Sequence, residues 1–171
     1  MSRSFRGESQ NKIDGKGRVS VPATFRRVIE AGDPNWQAGQ NPEFAIVYGD
    51  DDQNCLECYT IAGLAAIDAQ IEEMEEGSDE REYLEWVYSG LSLIASVDET
   101  GRIVIPARQR DKIGLESEAF FIAAGDKFQI WKPETYTALE LERKRALAAK
   151  LRVGSNPRKL LSRGAAKTED S

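Results

Sequence analysis

Histidine is absent from the 171 residues. Without it the chain lacks the commonest general base and the commonest metal ligand, which excludes triad hydrolysis and His-based metal centres. Cysteine is almost absent as well. Two thiols, with no apolar leader in the polar segment from Met1 to Gly7, point to a reducing cytoplasm rather than a disulfide framework. No stretch approaches the roughly 20 apolar residues that a membrane span requires, so no membrane partner is expected. Positive charge is missing from one long region: between residues 31 and 100, Arg81 faces seventeen acidic side chains alone. The ends hold what the middle lacks, with seven basic against three acidic residues in 1–30 and fifteen against nine in 101–171. A formal net charge of −6 taken whole speaks against nucleic acid. Its segregation keeps that partner open, since two basic ends attract phosphate wherever the acidic middle is turned away.

An internal repeat organises the chain. Ile13-Asp-Gly-Lys-Gly-Arg-Val-Ser-Val-Pro-Ala23 returns 84 residues later as Val97-Asp-Glu-Thr-Gly-Arg-Ile-Val-Ile-Pro-Ala107. Phe44-Ala-Ile-Val-Tyr-Gly-Asp50 returns 76 residues later as Phe120-Phe-Ile-Ala-Ala-Gly-Asp126, so the first copy carries about eight more residues, placed in 32–42. Two copies imply a duplicated unit with a pseudo-two-fold, since a solenoid needs three or more. At 70–80 residues each half is small for a core of its own, and the two are expected to bury each other.

Each copy parses alike. Asp14–Gly17 and Asp98–Gly101 carry turn chemistry, with Gly17 and Gly101 available for positive φ. Arg18–Val21 and Arg102–Ile105 alternate as half-buried strands, with Val19 and Val21 on one face and Arg18 and Ser20 on the other. Pro22 and Pro106 open short helices to Ile29 and Ile113. Strands are predicted at 44–48, 56–59, 120–124 and 128–131. Helical stripes are predicted from Ile61 to Ile71, from Tyr83 to Ile94, and over 134–151. The basic stretch 152–171 is expected to be disordered.

Asp14 can accept from turn N–H groups and pair with Arg18, a structural role shared by Asp98. Arg18 and Lys16, with Arg3, Arg6 and Lys12 nearby in sequence, make a basic cluster on the polar side of a strand. A guanidinium offers a planar fork suited to phosphate or to guanine O6/N7. Arg102, which has Glu99 in its turn, is divided between DNA contact and an ion pair with Asp98. Cys55-Leu-Glu-Cys58 lacks further ligands for zinc and reads as buried thiols. Asp50–Asp52 reads as a solvated turn, and the glutamates of 72–82 as a water-facing run. Tyr83 and Trp86, at helical spacing, read as core or subunit contact, and no metal or cofactor is expected.

Phe5-Arg-Gly7, the two Asp-x-x-x-Arg blocks, and Tyr83-Leu-Glu-Trp-Val-Tyr-Ser-Gly90 together resemble the MraZ family, over about residues 5–145. Both copies are similar to the swapped-hairpin unit of the AbrB and SpoVT regulators. The resemblance implies an α+β fold of two pseudo-symmetric split-hairpin halves, fused as a double-split β-barrel-like unit. It divides the chain into repeats at 5–80 and 81–151 and a tail at 152–171. It further implies a non-enzymatic, cytoplasmic, nucleoid-associated transcriptional regulator at the promoter of the division and cell-wall gene cluster. A homo-oligomeric ring binding short G-rich direct repeats in double-stranded DNA is implied as well, with DNA contact at Arg18. An oligomeric scaffold whose hairpins serve only as interface is the alternative.

Overall fold

The computed structural model describes residues 4–152, 154 and 156–162. Two compact units divide the chain, Met1–Pro133 and Glu134–Ser171. In the first unit the order is β1 (Glu8–Lys12), β2 (Arg18–Ser20), α1 (Ala23–Ala31), β3 (Glu43–Val47), β4 (Leu56–Thr60), α2 (Ile61–Glu72) and α3 (Asp79–Glu85). A π-helical turn, Trp86–Gly90, leads on to β5 (Ser92–Ser96), β6 (Arg102–Val104), α4 (Ala107–Ile113), β7 (Glu118–Ala124) and β8 (Lys127–Trp131). A continuous helical stretch follows: α5 (Pro133–Thr135), a π-helical segment Tyr136–Glu140, and α6 (Leu141–Leu151). The architecture is α+β, and every ladder is antiparallel.

Six strands form one sheet in the order β1-β7-β8-β4-β3-β5, and β2 with β6 forms a separate ribbon. Exchanging each strand for its repeat equivalent leaves the six-strand order unchanged when read backwards. The duplication is thus expressed as a pseudo-two-fold that passes between β4 and β8 and through the ribbon. Each Asp-turn-Arg hairpin is split between sheets: β1 stays beside β7, β2 departs to pair with β6, and an isolated bridge joins Ile13 to Val19.

Alternation explains why the ribbon sits where it does. Val19, Val21, Ile103 and Ile105 are buried in the same cluster as Phe44, Leu56, Phe121, Phe128 and Ile130 of the large sheet. One helical turn separates Phe25 from Ile29, and both close this cluster from α1. This cluster draws buried residues from both copies of the repeat. The extra residues of the first copy fall between α1 and β3. There the buried Asp33 organises them, accepting from the Asn35 N–H (3.0 Å) and the Glu43 N–H (2.9 Å).

Three local differences from the sequence expectation have physical causes. Ile94 lies in β5 and not on a helix, because its backbone pairs with Ala45 of β3 and the preceding helix ends in the π-turn at Gly90. Strand β1, Glu-Ser-Gln-Asn-Lys, shows no apolar alternation and is held by backbone pairing to β7 at the sheet edge, where polar side chains stay wet. Pro22 and Pro106 occupy the N-cap positions of α1 and α4, with extended ψ, one residue before the expected place. Cys55 and Cys58 are buried, and burial pushes the Cys58 thiol well up from its ordinary range.

Candidate nucleic-acid interface

The turn from Asp14 to Arg18 is built by one carboxylate. Asp14 Oδ1 accepts from the Lys16 and Arg18 N–H groups, both at 2.9 Å. Its Oδ2 takes the Arg18 Nε–H at 2.6 Å. Gly17, at φ +81°, supplies the left-handed residue that lets its N–H reach back to the Asp14 carbonyl at 3.0 Å. The second turn repeats the device. Asp98 Oδ1 accepts from the Thr100 N–H, the Thr100 hydroxyl and the Arg102 N–H at 2.7–2.9 Å, and Gly101 stands at φ +82°. Arg102 Nε donates to Thr100 Oγ1 at 2.9 Å and lies 3.6 Å from Asp98 Oδ2.

Each guanidinium is held by its Nε edge, that of Arg18 by Asp14 directly and that of Arg102 by the Thr100 hydroxyl, which itself donates to Asp98. Among the described residues the Nη groups of Arg18 and Arg102 meet no partner, and more than a third of each side chain is exposed. The charge pair therefore orients the fork without occupying it, leaving the Nη side for phosphate or a base edge.

Register then brings the two turns together. In the β2–β6 ribbon Arg18 stands opposite Val104, Val19 opposite Ile103, and Ser20 opposite Arg102. Val19 and Ile103 point into the core, so the outer face presents Arg18, Ser20, Arg102 and the half-exposed Val104. Reciprocal bonds close both ends of the ribbon: Val21 N–H to the Gly101 carbonyl (3.0 Å) and Ile105 N–H to the Gly17 carbonyl (2.8 Å). A two-stranded ribbon of this kind has the width of a DNA major groove, where Arg can read guanine and an apolar side chain can meet a thymine methyl.

The structure joins Arg18, Lys16, Arg102, Asp14, Gly17, Asp98 and Gly101 on this ribbon and its turns. It does not bring Arg6 to them. Arg6 precedes β1 at the opposite end, where the flanking Phe5 N–H bonds to the Gly125 carbonyl. The five residues of β1 span roughly 17 Å at about 3.3 Å per residue. Arg3 lies outside the described residues, as does most of the tail. Three residues were missed by sequence reasoning. Val104 was legible from the alternation that places it with Arg102. The other two, Arg26 and Arg110, themselves occupy equivalent repeat positions. The Arg110 guanidinium packs over Gly17 and the Arg26 guanidinium over Gly101, each crossing to the other repeat's turn. Arg26 Nε is buried and has no partner among the described residues.

The turns also set a pH response. The Arg18 backbone N–H, joined by its guanidinium and the Lys16 N–H, lowers the Asp14 carboxyl to about 2. The backbone N–H of Arg102, with the Thr100 hydroxyl, lowers Asp98. An unfolded aspartate titrates at about 3.9. A depressed carboxyl contributes stability above that pH and loses it as the pH falls through the folded value. The carboxyl carbon of Asp14 is therefore expected to titrate with a midpoint of about 2 by NMR, with the Lys16 and Arg18 amide signals moving together. A midpoint near that of a free aspartate would mean the turn is not closed in solution.

A duplicated α+β protein, with paired Asp-capped turns carried on a two-stranded ribbon, is the class that these observations define. The family model described as "MraZ protein, putative antitoxin-like" matches residues 95–152. A protein of Ruegeria pomeroyi named Transcriptional regulator MraZ is 60% identical over 141 residues, covering 82% of this chain and 84% of that protein. Proteins of the same name from Cereibacter sphaeroides and Rhodospirillum rubrum are 45% and 34% identical, covering 81% and 94% of this chain and 85% and 92% of their own length. The chain belongs to the MraZ family.

Proposed function

We propose that this chain is a transcriptional regulator that binds double-stranded DNA sequence-specifically, without catalysis, through the outer face of the β2–β6 ribbon. The observation that carries this is the pair of guanidinium groups, Arg18 and Arg102, each held by Nε with its Nη side turned outward. Lys16 at the tip of the first turn adds phosphate attraction, while Glu99 weakens it at the second, so the first turn is the stronger contact. Arg26 and Arg110 brace the turns from the opposite repeat. The related proteins' name, Transcriptional regulator MraZ, supports the regulatory role.

In this reading residues 5–80 and 81–151 are two copies of one split-hairpin unit, fused as a double-split barrel-like body. The targets are short G-rich direct repeats at the promoter of the division and cell-wall gene cluster, and the protein acts on the nucleoid in the cytoplasm. One ribbon offers few contacts, so a ring of subunits gains affinity through effective concentration. The ribbon face can then be concentrated on one side while the acidic segment 72–85 faces elsewhere, which reconciles net negative charge with DNA binding.

The test is fluorescence anisotropy with DNA from upstream of the protein's own gene, over a salt series. Wild-type affinity is expected to fall steeply with salt. Arg18→Ala is expected to weaken binding by at least about tenfold, in line with about 1–3 kcal/mol for a bidentate base contact. Arg102→Ala should weaken it less. Equal affinity for scrambled and upstream DNA would move the oligomeric scaffold ahead.

A further inference from the structure

We propose that the Tyr83–Trp86 face is the docking site for helix α6 of a second copy of this chain. The proposal rests on the self-association proposed above and assigns it two surfaces.

The docking face is aromatic and uncovered. Tyr83 is 53% exposed and Trp86 49%, with their rings edge-on at 6.1 Å between centroids. Two large aromatics left in water at one turn's spacing are costly for a free monomer surface and typical of the anchor residues of an interface. A hollow of about 390 Å³ lies between Tyr83, Trp86, Asp79 and Glu82. On its other side Trp86 borders a second hollow of about 520 Å³. The buried Gln109 lines that second hollow. Residues 72–85 hold eight acidic side chains against Arg81 alone.

Helix α6 offers the complementary surface. Residues 139–151 hold Arg143, Lys144, Arg145 and Lys150 against Glu140, which pairs with Arg143 and Lys144, and Glu142, which pairs with Arg145. Leu139, Arg143, Leu147 and Lys150 fall at i, i+4, i+8 and i+11, along one side of the helix. Leu139 is 53% exposed and Leu147 41%. Exposed leucines flanked by cations match exposed aromatics flanked by carboxylates in both apolar character and charge. The two surfaces differ, so the contact is heterologous. A copy that places α6 on its neighbour still offers its own Tyr83–Trp86 face to the next, and the chain of contacts closes into a ring when the rotation permits.

The experiment uses the full chain in sedimentation velocity. An acceptor variant carries Trp86→Ala with Glu82→Lys, and a donor variant carries Leu147→Ala with Lys150→Glu. All four positions are solvent-facing, and thermal melts by circular dichroism check that both variants fold. Wild type is expected to assemble beyond a dimer, and each variant alone to self-associate at least about thirtyfold more weakly. An equimolar mixture should stop at a heterodimer, because it holds one intact donor and one intact acceptor. Variants that assemble like wild type would overturn this docking site while leaving self-association standing. A mixture that remains monomeric would overturn the pairing of α6 with this face. A wild type that is monomeric at every concentration would overturn the self-association reading together with this proposal.

Discussion

Phe128→Ala is expected to lower the unfolding free energy by about 3–5 kcal/mol, the largest effect of any single truncation in the core. Phe128 is fully buried and meets four other rings: Phe5 and Phe25 at 5.0 Å, and Phe44 and Phe121 at 6.1 Å between centroids. Those rings come from the segment before β1, from α1, from β3 and from β7, so the side chain ties both repeats into one cluster. Deleting it removes the transfer term of a large aromatic and leaves a cavity that five rigid elements cannot collapse to fill. Domains of this size are stable by about 5–15 kcal/mol in total, so the variant should unfold at a much lower urea midpoint. A loss below about 1 kcal/mol in urea titration would mean that the ring cluster is not packed as described.

The second large effect is expected at the first turn. Gly17→Ala should cost about 2–3 kcal/mol, while Gly15→Ala, two residues away, should change stability by less than about 0.5 kcal/mol. Gly17 stands at φ +81°, and a Cβ there would enter both the Ile105 carbonyl oxygen and the Arg110 guanidinium. The Ile105 oxygen is backbone, and the same residue's N–H donates to the Gly17 carbonyl, so it cannot retreat without opening the ribbon. At Gly101 the corresponding obstacle is the flexible guanidinium of Arg26. Gly101→Ala should therefore cost less than Gly17→Ala, although both share the left-handed backbone. Nothing lies within 4 Å of a Cβ at Gly15. Urea titration of the three variants checks the ranking, and equal losses at Gly17 and Gly101 would show that turn strain, and not the crossing contacts, is at work. If the ribbon reads DNA, Gly17→Ala should also weaken binding, because it disturbs the register that sets Arg18 and Arg102 on one face of the ribbon.

The repeat, the turn residues and the buried strand faces were open to sequence reasoning because each is a local matter. A carboxylate four residues before an arginine, with glycine between them, closes the same turn wherever it occurs. Val19 and Val21 alternate with Arg18 and Ser20 regardless of what covers them. The surplus between α1 and β3 showed itself as a difference between two offsets. Strand β1 gave no such sign, because an edge strand needs backbone partners more than an apolar face. Ile94 looked helical because an apolar residue following a helical stripe carries no mark of which backbone it will join.

Residue identity alone determined the duplication, the two Asp-capped turns and the alternation that turns Arg18 and Arg102 away from the core, since short-range geometry dictates all three. Tertiary structure decided the partners. Strand β2 pairs with β6 and not with β1, so the two turns meet on one ribbon. Arg6 stands at the far end of β1, while Arg26 and Arg110 cross to brace the opposite turns. Those outcomes depend on which strands share a sheet, and that choice is made by a core to which both repeats contribute.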